Sequence, residues 1–256
     1  FWDRADFSAD PLSPEAILIL MNGPLTGIKL SGVSRMNATA RSPLTGGIAE
    51  SSCGGHFPPA LRLAGFDGLI LSGRAKRPSV LLIENESVSV RDAGNLWGMG
   101  VLECTRELKK TYGKKSTSLV IGPAGENGVP FACILNEAHH AFGRCGMGAV
   151  MGAKNLKALV VQSGSGTLSL ADPDRIKSLT REFNPRIKDY LISQVLHDYG
   201  TSGNLEGHMY DGDVPMRNWT SSYDEEMASA LTGSTLSETY LKKTATCAYC
   251  AVACKR

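Results

Sequence analysis

The 256-residue sequence lacks a surplus of charge of either sign: 27 basic and 25 acidic side chains leave a formal net charge of +2. That balance gives no electrostatic case for a nucleic-acid or membrane-surface partner, both of which draw on an excess of lysine and arginine. No apolar run approaches the roughly 20 residues needed to span a bilayer. Phe1-Trp2-Asp3-Arg4 does not read as a secretory signal, which opens with a basic stretch followed by an apolar one. There is no disulfide framework either. Of the seven cysteines, Cys53, Cys104, Cys133 and Cys145 are scattered without a regular spacing. An odd, scattered set fits a reducing cytoplasm, and each of these four reads first as a small buried hydrophobe. What remains, 42% hydrophobic and 20% charged, is an ordinary globular composition, enough for one large domain or two smaller ones.

A fourth clustered cysteine is also missing. Cys247, Cys250 and Cys254 form a Cys-x2-Cys-x3-Cys run at the end of the chain. A tetrahedral zinc site or a cubane iron–sulfur cluster takes four ligands, and this run supplies three. The spacing is not the Cys-x2-Cys-x2-Cys of small ferredoxins. The residues alone leave three readings open: a 4Fe-4S site completed elsewhere, a zinc site, or an incidental triplet. With Phe at residue 1, the expectation is an internal piece of a longer protein.

Apolar runs of strand length occur at 16–21, 68–71, 79–83, 88–90, 118–121 and 158–161, most of them followed by turn residues. Helices are expected at about 55–65, 100–112 and 145–155. Strands and helices mixed without regular βαβ spacing predict an α+β fold. Its N-terminal domain, 1–166, is β-rich, with mixed sheets and flanking helices. The start of a mainly helical domain follows at 167–256, across the small link Ser163-Gly164-Ser165-Gly166. Asp172-Pro173 reads as a helix start with Asp as N-cap, Pro185 as an interruption before the helix resumes to Tyr199, and 235–243 as a further helix. Gly23-Pro24-Leu25-Thr26-Gly27 is echoed by Ser42-Pro43-Leu44-Thr45-Gly46, which suggests matching turns facing each other across a pseudo-two-fold axis, or a chance repeat.

Two Gly-flanked segments stand out: Ser51-Ser52-Cys53-Gly54-Gly55-His56 and Ala141-Phe142-Gly143-Arg144-Cys145-Gly146-Met147-Gly148-Ala149. Such loops can leave backbone N–H groups free for an anion, with Arg35, Arg41 and Arg144 supplying positive charge; they can also be plain turns. His139-His140 offers proton carriers or ligands, or hydrogen-bonded structure.

Taken in order, Pro11-Leu12-Ser13-Pro14-Glu15, Gly23-Pro24-Leu25-Thr26-Gly27, Ser42-Pro43-Leu44-Thr45-Gly46, Leu63-Ala64-Gly65-Phe66-Asp67, Gly122-Pro123-Ala124-Gly125-Glu126-Asn127 and Gly148-Ala149-Val150-Met151-Gly152-Ala153-Lys154-Asn155-Leu156-Lys157-Ala158 form a series. Followed by Tyr199-Gly200-Thr201 and the cysteine run, it resembles the tungsten-dependent aldehyde ferredoxin oxidoreductase family along nearly the whole chain. The resemblance implies an N-terminal base for a bis-pyranopterin holding tungsten (or molybdenum), and a helical second domain carrying three ligands of a 4Fe-4S cluster, Cys247, Cys250 and Cys254.

Residue by residue, Arg35 stands where the family places an arginine contacting pterin and cluster. Ser52, Cys53 and Gly54 fall on the pterin-contacting loop, where members commonly have Asn-Ser-Gly, and Gly55 beside them is a further cofactor-binding candidate. Ala141 falls where a backbone carbonyl helps hold a magnesium bridging the pterin phosphates. His140 replaces a frequent arginine, while Gly143 and Arg144 agree with the family. The implied activity is oxidation of an aldehyde to a carboxylic acid, with electrons passing through the cluster to ferredoxin or a related acceptor, and catalytic acid–base residues outside this chain. Homo-oligomerisation is left open. Rival readings are a relative reducing aromatic acyl-thioesters, a pterin-free iron–sulfur or zinc module for electron transfer or structure, and a fragment whose second domain exposes apolar surface.

Overall fold

In the computed structural model, which describes residue 6 and residues 8–163 and 166–255, the apolar runs become strands of two sheets. Strands β1 (Leu18–Asn22), β2 (Met36–Arg41), β3 (Ile48–Cys53) and β4 (Gly68–Leu71) form an antiparallel sheet in the order β3-β2-β1-β4. A second sheet contains β5 (Ser79–Glu84), β6 (Ser87–Asp92), β7 (Thr117–Val120), β8 (Ile134–Asn136), β9 (His140–Phe142) and β10 (Leu156–Ser163), in the order β6-β5-β10-β7-β8-β9. It is mixed: β10 pairs with β5 in parallel and with β7 antiparallel.

Side-chain alternation sorts the core into two layers. Leu159 and Val161 of β10 face a core shared with Leu18, Leu20, Met36 and Ala38 of the first sheet, and with helices α1 (Phe57–Leu63) and α4 (Met147–Ala153). Ala158 and Val160, one residue out of phase, face the other side, where Cys104 and Leu108 of helix α2 (Val101–Tyr112) cover them. A strand buried on both faces reads as a continuous apolar run, as 158–161 does.

The Gly-rich motifs close this architecture. Helix α3 (Pro123–Glu126) lies against α4, and a Cβ on Gly152 would overlap the Gly125 carbonyl oxygen. A Cβ on Gly148 would overlap the Cys133 carbonyl, and one on Gly146, at φ +74°, the Pro130 carbonyl. These glycines permit backbone-to-backbone approach. Polar groups lock the same region. Lys157, wholly buried, is ion-paired with buried Glu126 and donates to Met99 O at 2.8 Å. Glu126 also accepts from the Gly98 N–H at 2.9 Å, so the buried charges are both paired and hydrogen-bonded.

The chain divides into two compact units: one takes the chain up to Ile28 and from Val33 to Ala171, the other Lys29–Gly32 and the chain from Asp172. The expected boundary at 166 precedes that division. Gly164 and Ser165 of the expected link, like Phe1-Trp2-Asp3-Arg4, lie outside the described residues. The second unit holds α5 (Pro173–Asp189), α6 (Leu191–Tyr199), α7 (Leu205–Tyr210) and α8 (Glu225–Leu231). Asp172 caps α5, its carboxylate accepting from the Arg175 N–H at 2.8 Å. The molecule is thus α+β, β-rich first and mainly helical later.

Three expectations need correction. Pro185 does not interrupt a helix: α5 runs through it, and the break comes at Tyr190, whose backbone is extended. The region expected as a helix over 235–243 is a short helical turn, Gly233–Thr235, followed by a π-helical turn, Leu236–Tyr240. The two echoed turns do not face each other. β1 and β2 are antiparallel, with Asn22 opposite Met36, so the turn after β1 and the turn after β2 lie at opposite ends of the sheet.

Candidate functional site

The β2–β3 pairing sets Met36 opposite Cys53 and Asn37 opposite Ser52. This register puts Arg35, just before β2, beside the end of β3: its Nε donates to Ser52 Oγ at 3.2 Å and its Nη2 to Ser52 O at 3.3 Å. Beyond β3, the Gly54 carbonyl accepts from Asn136 Nδ2 at 2.7 Å. Gly55 has φ +95°, and a Cβ there would overlap the Asn136 amide and come within 3.1 Å of His140 Nδ1. Asn136 and His140 are register partners across the β8–β9 hairpin. The turn between them runs through two left-handed residues, Glu137 (φ 50°) and Ala138 (φ 64°), a costly backbone for side-chain-bearing residues.

Ala141 follows His140 on β9, opposite Leu135. After β9 the Gly143 carbonyl accepts from Cys133 Sγ at 3.2 Å, and the Arg144 N–H reaches Ser51 Oγ at 3.5 Å. The structure therefore links Arg35 to Ser52, Gly54 and Gly55 to the hairpin carrying His140 and Ala141, and Arg144 to β3. Cys53 is buried within the same strand end, and Gly143 is exposed beside Arg144. Two exposed guanidinium-bearing residues, Arg35 and Arg144, give this corner positive charge suited to phosphate.

Other expected features fall away from it. Arg41 sits at the opposite end of β2, donating to Gly46 O at 2.7 Å and Ala9 O at 2.6 Å. His139 is an exposed turn residue. The segment from Gly146 to Ala149 is not a cradle of free N–H groups. Gly148 N–H donates to Ala132 O at 2.9 Å and Ala149 N–H to Gly146 O at 3.0 Å, because its glycines serve close packing.

Sequence reasoning missed Asn136 and Asn22. Asn136 is fully buried, and its Oδ1 has no hydrogen-bond partner among the described residues. Asn22 donates to Pro58 O at 3.1 Å, and its Oδ1 is likewise buried and unpartnered among the described residues. Two buried asparagines thus grip the chain around 54–58 while each keeps an acceptor unsatisfied, a costly arrangement without a donor. Their signal in the sequence was an isolated polar residue at a strand end, which many turns share.

In the second unit, Cys247, Cys250 and Cys254 lie on one loop closed by an antiparallel bridge, in which the Ala245 N–H donates to Lys255 O at 3.0 Å. The Cys250 N–H donates to Cys247 O at 3.2 Å. Tyr249 (φ 61°) and Ala253 (φ 55°) are left-handed immediately before Cys250 and Cys254. Among the described residues, no three His, Cys, Asp or Glu side chains converge closely enough to hold a metal ion. The fit to a cluster rests on the donor set and the loop closure, since ligand ordering is coupled to metal binding.

Comparison with known proteins places both units. Residues 1–163 match the family model described as aldehyde ferredoxin oxidoreductase, N-terminal domain, and residues 178–256 match that for its domains 2 and 3. The chain belongs to the aldehyde ferredoxin oxidoreductase family. It is 38% identical over 254 residues to the tungsten-containing aldehyde ferredoxin oxidoreductase of Pyrococcus furiosus, covering 98% of this chain and 42% of that one. It is 36% identical over 240 residues to the WOR-like subunit of an aliphatic sulfonate oxidoreductase from the same organism, covering 88% and 37%. Among solved structures, the active site complex BamBC of benzoyl coenzyme A reductase with 1,5-dienoyl-CoA superposes with a TM-score of 0.82 at 29% identity, covering 99% of this chain and 40% of that one. The chain thus spans about two-fifths of the length of these relatives. The family is one of oxidoreductases with tungsten-containing members. No helix among the described residues is long and apolar enough to cross a membrane.

Proposed function

We propose that this chain supplies the cofactor-binding base and three cluster ligands of an enzyme that oxidises an aldehyde to the carboxylic acid at a bis-pyranopterin tungsten or molybdenum centre. Cys247, Cys250 and Cys254 would hold a 4Fe-4S cluster, which would supply one-electron transfer toward ferredoxin or a related acceptor. The observation that carries this reading is the meeting of Arg35, Ser52, Gly54, Gly55, His140 and Arg144 at one corner of the first unit, in a chain that matches the family along both units. When bound, the metal–pterin group supplies the two-electron redox step.

The chain's own residues bind and orient. Arg35, held by Ser52, and Arg144 offer charged donors to pterin and phosphate oxygens. Gly55 keeps the loop free of a side chain where Asn136 and His140 pack. The unsatisfied acceptors of Asn136 and Asn22 would take N–H or O–H donors from the ligand. The Ala141 carbonyl is the proposed magnesium ligand, one that any residue at 141 would provide. His140 stands in for arginine as a neutral or singly charged donor. Cys247, Cys250 and Cys254 are the proposed cluster ligands, and Cys53 lies on the pterin-facing strand end. A cytoplasmic location accompanies the reading, on the cysteine usage alone.

The structural likeness to BamBC favours one second reading, reduction of an aromatic acyl-thioester at the same kind of centre. Elemental analysis of the full-length protein, purified without oxygen from cells given tungstate and molybdate, tests the common part. About one tungsten or molybdenum and about four irons per chain are expected; iron or zinc alone would favour a pterin-free module. Side-by-side assays of aldehyde oxidation and aromatic acyl-coenzyme A reduction then separate the two substrates.

A further inference from the structure

The cysteine loop is held from outside between its second and third cysteines. Between Cys250 and Cys254, two of the backbone polar groups each meet a side chain from a distant stretch of sequence in the same unit. The Ala251 N–H donates to Ser31 Oγ at 3.0 Å, and His197 Nδ1 lies 2.7 Å from Val252 O. Facing a carbonyl oxygen, Nδ1 must carry the proton, so His197 is the donor.

Neither partner is loose. His197 stands on α6. Ser31 lies in the Lys29–Gly32 segment, which is tied in turn to α5, where Thr180 Oγ1 donates to Lys29 O at 2.9 Å. Lys188 of α5, Gln194 and His197 of α6, and Ala251 and Val252 of the loop border one cavity of about 250 Å³. This contact therefore borders a cavity, and two hydrogen bonds tie the loop there.

We infer that His197 and Ser31 are positioning residues for the cluster. They orient the peptide groups between its second and third proposed ligands, and so set its electronic environment. The inference rests on the reading of Cys247, Cys250 and Cys254 as ligands. Its physical basis is that the potential of an iron–sulfur cluster responds to the hydrogen bonds and dipoles around its sulfurs, and that residues beyond the ligands orient them. His197 grips Val252, two residues before Cys254; Ser31 grips Ala251, next to Cys250. Removing either frees one peptide dipole to rotate without removing a ligand.

The test uses the full-length enzyme in four forms: unsubstituted, His197→Ala, His197→Asn and Ser31→Ala. Iron content is measured first, then the electron paramagnetic resonance spectrum of the reduced cluster and its midpoint potential. Loss of iron from the unsubstituted protein would sink the ligand reading itself, apart from the present inference. With iron in place, His197→Ala is expected to keep most of its iron. Its g-values should change, and its oxidised-to-reduced ratio at a fixed potential should shift about threefold or more, on a scale where tenfold is 59 mV for one electron. His197→Asn, which restores a neutral N–H near the Nδ1 position, should return both signals toward those of the unsubstituted enzyme. Ser31→Ala should shift them too, and it carries the comparison by itself if His197→Ala does not fold. Spectra and potentials unchanged in both alanine variants would overturn the inference, as would a failure of asparagine to restore what alanine lost.

Discussion

The two units of this chain hold themselves together by different means. In the first, two sheets and four helices close around a two-layered apolar core. The buried pair Lys157 and Glu126 is matched internally and to backbone groups. In the second, α5 and α6 contain no buried residue at all, and the buried apolar cluster is Met209, Met216 and Ala228. Large apolar side chains stand in the open there, Leu191 at 70% exposure and Trp219 at 80%. A region with so little core of its own draws its order from local hydrogen bonds and from what binds it. Under the proposed function the units do different work: a well-packed base for the pterin, and a sparsely packed unit that carries the cysteine run.

The largest expected effect breaks this contrast most directly. Glu126→Ala leaves the Lys157 ammonium buried without its partner, and such a loss costs about 3–5 kcal/mol. Glu182→Ala in α5 removes an ion pair of the same charge type with Arg186, but both side chains are more than half exposed (67% and 51%), and the expected cost is below about 1 kcal/mol. Hydrogen exchange of the amides of β10 for the first variant and of α5 for the second reads each unit separately. Equal effects would show that the first unit is no better packed than the second.

A pair of substitutions sharpens the division at the level of cofactors. Cys250→Ala in the full-length protein should abolish the reduced-cluster signal while tungsten or molybdenum content falls by less than half. Arg35→Ala should do the reverse, lowering bound pterin several-fold with iron retained. An unchanged cluster signal in the first variant would remove Cys250 from the ligand set. Full pterin occupancy and activity in the second would remove Arg35 from the site.

The contrast also governs what could be read from sequence. Strands buried on both faces, such as β10, declare themselves as apolar runs, and helix α2 declares itself by Val101, Thr105, Leu108 and Tyr112 at helical spacing. The strands that build the candidate site do not. β2 reads Met-Asn-Ala-Thr-Ala-Arg and β3 Ile-Ala-Glu-Ser-Ser-Cys, with small and polar residues of weak strand preference. They are held as strands because Met36, Ala38 and Ala40 alternate into the core. The β8–β9 hairpin was missed for a related reason: its turn uses Glu137 and Ala138 in left-handed conformations where Asn-Gly would have signalled it. The candidate residues were therefore reached through the family resemblance and not through periodicity, and Asn136, which no motif marked, was not reached at all. The glycines near 146–152 were legible as special but not as packing positions, since one residue type serves both close backbone approach and anion binding. Pro185 failed as a helix break because α5 lies on the surface, where water can meet the Arg181 carbonyl that Pro185 leaves without an N–H donor.

The smallest effect isolates one buried group of the first unit by pH. Lys154 is buried, donating to Ala16 O and Gly73 O. Desolvation, with the neighbouring charge of Arg74 adding to it, lowers its pKa from 10.5 to about 8. Between those values the unfolded chain keeps a proton that the folded chain has released, so stability rises with pH, by up to about 1.4 kcal/mol per unit. Cys104 acts oppositely. Burial pushes its thiol from 9.0 up to about 11, so between those values the folded chain keeps the proton and stability falls with pH. The interval from pH 8 to 9 therefore belongs to Lys154 alone among these two. Urea midpoints measured across it should climb for the unsubstituted protein and stay flat for Lys154→Met, which keeps the apolar stem in place. Above pH 9 the two groups oppose each other, and Cys104→Ala should let the climb continue to about pH 10. A flat profile from pH 8 to 9 in the unsubstituted protein would mean that the Lys154 ammonium is as well solvated by its carbonyl partners as by water.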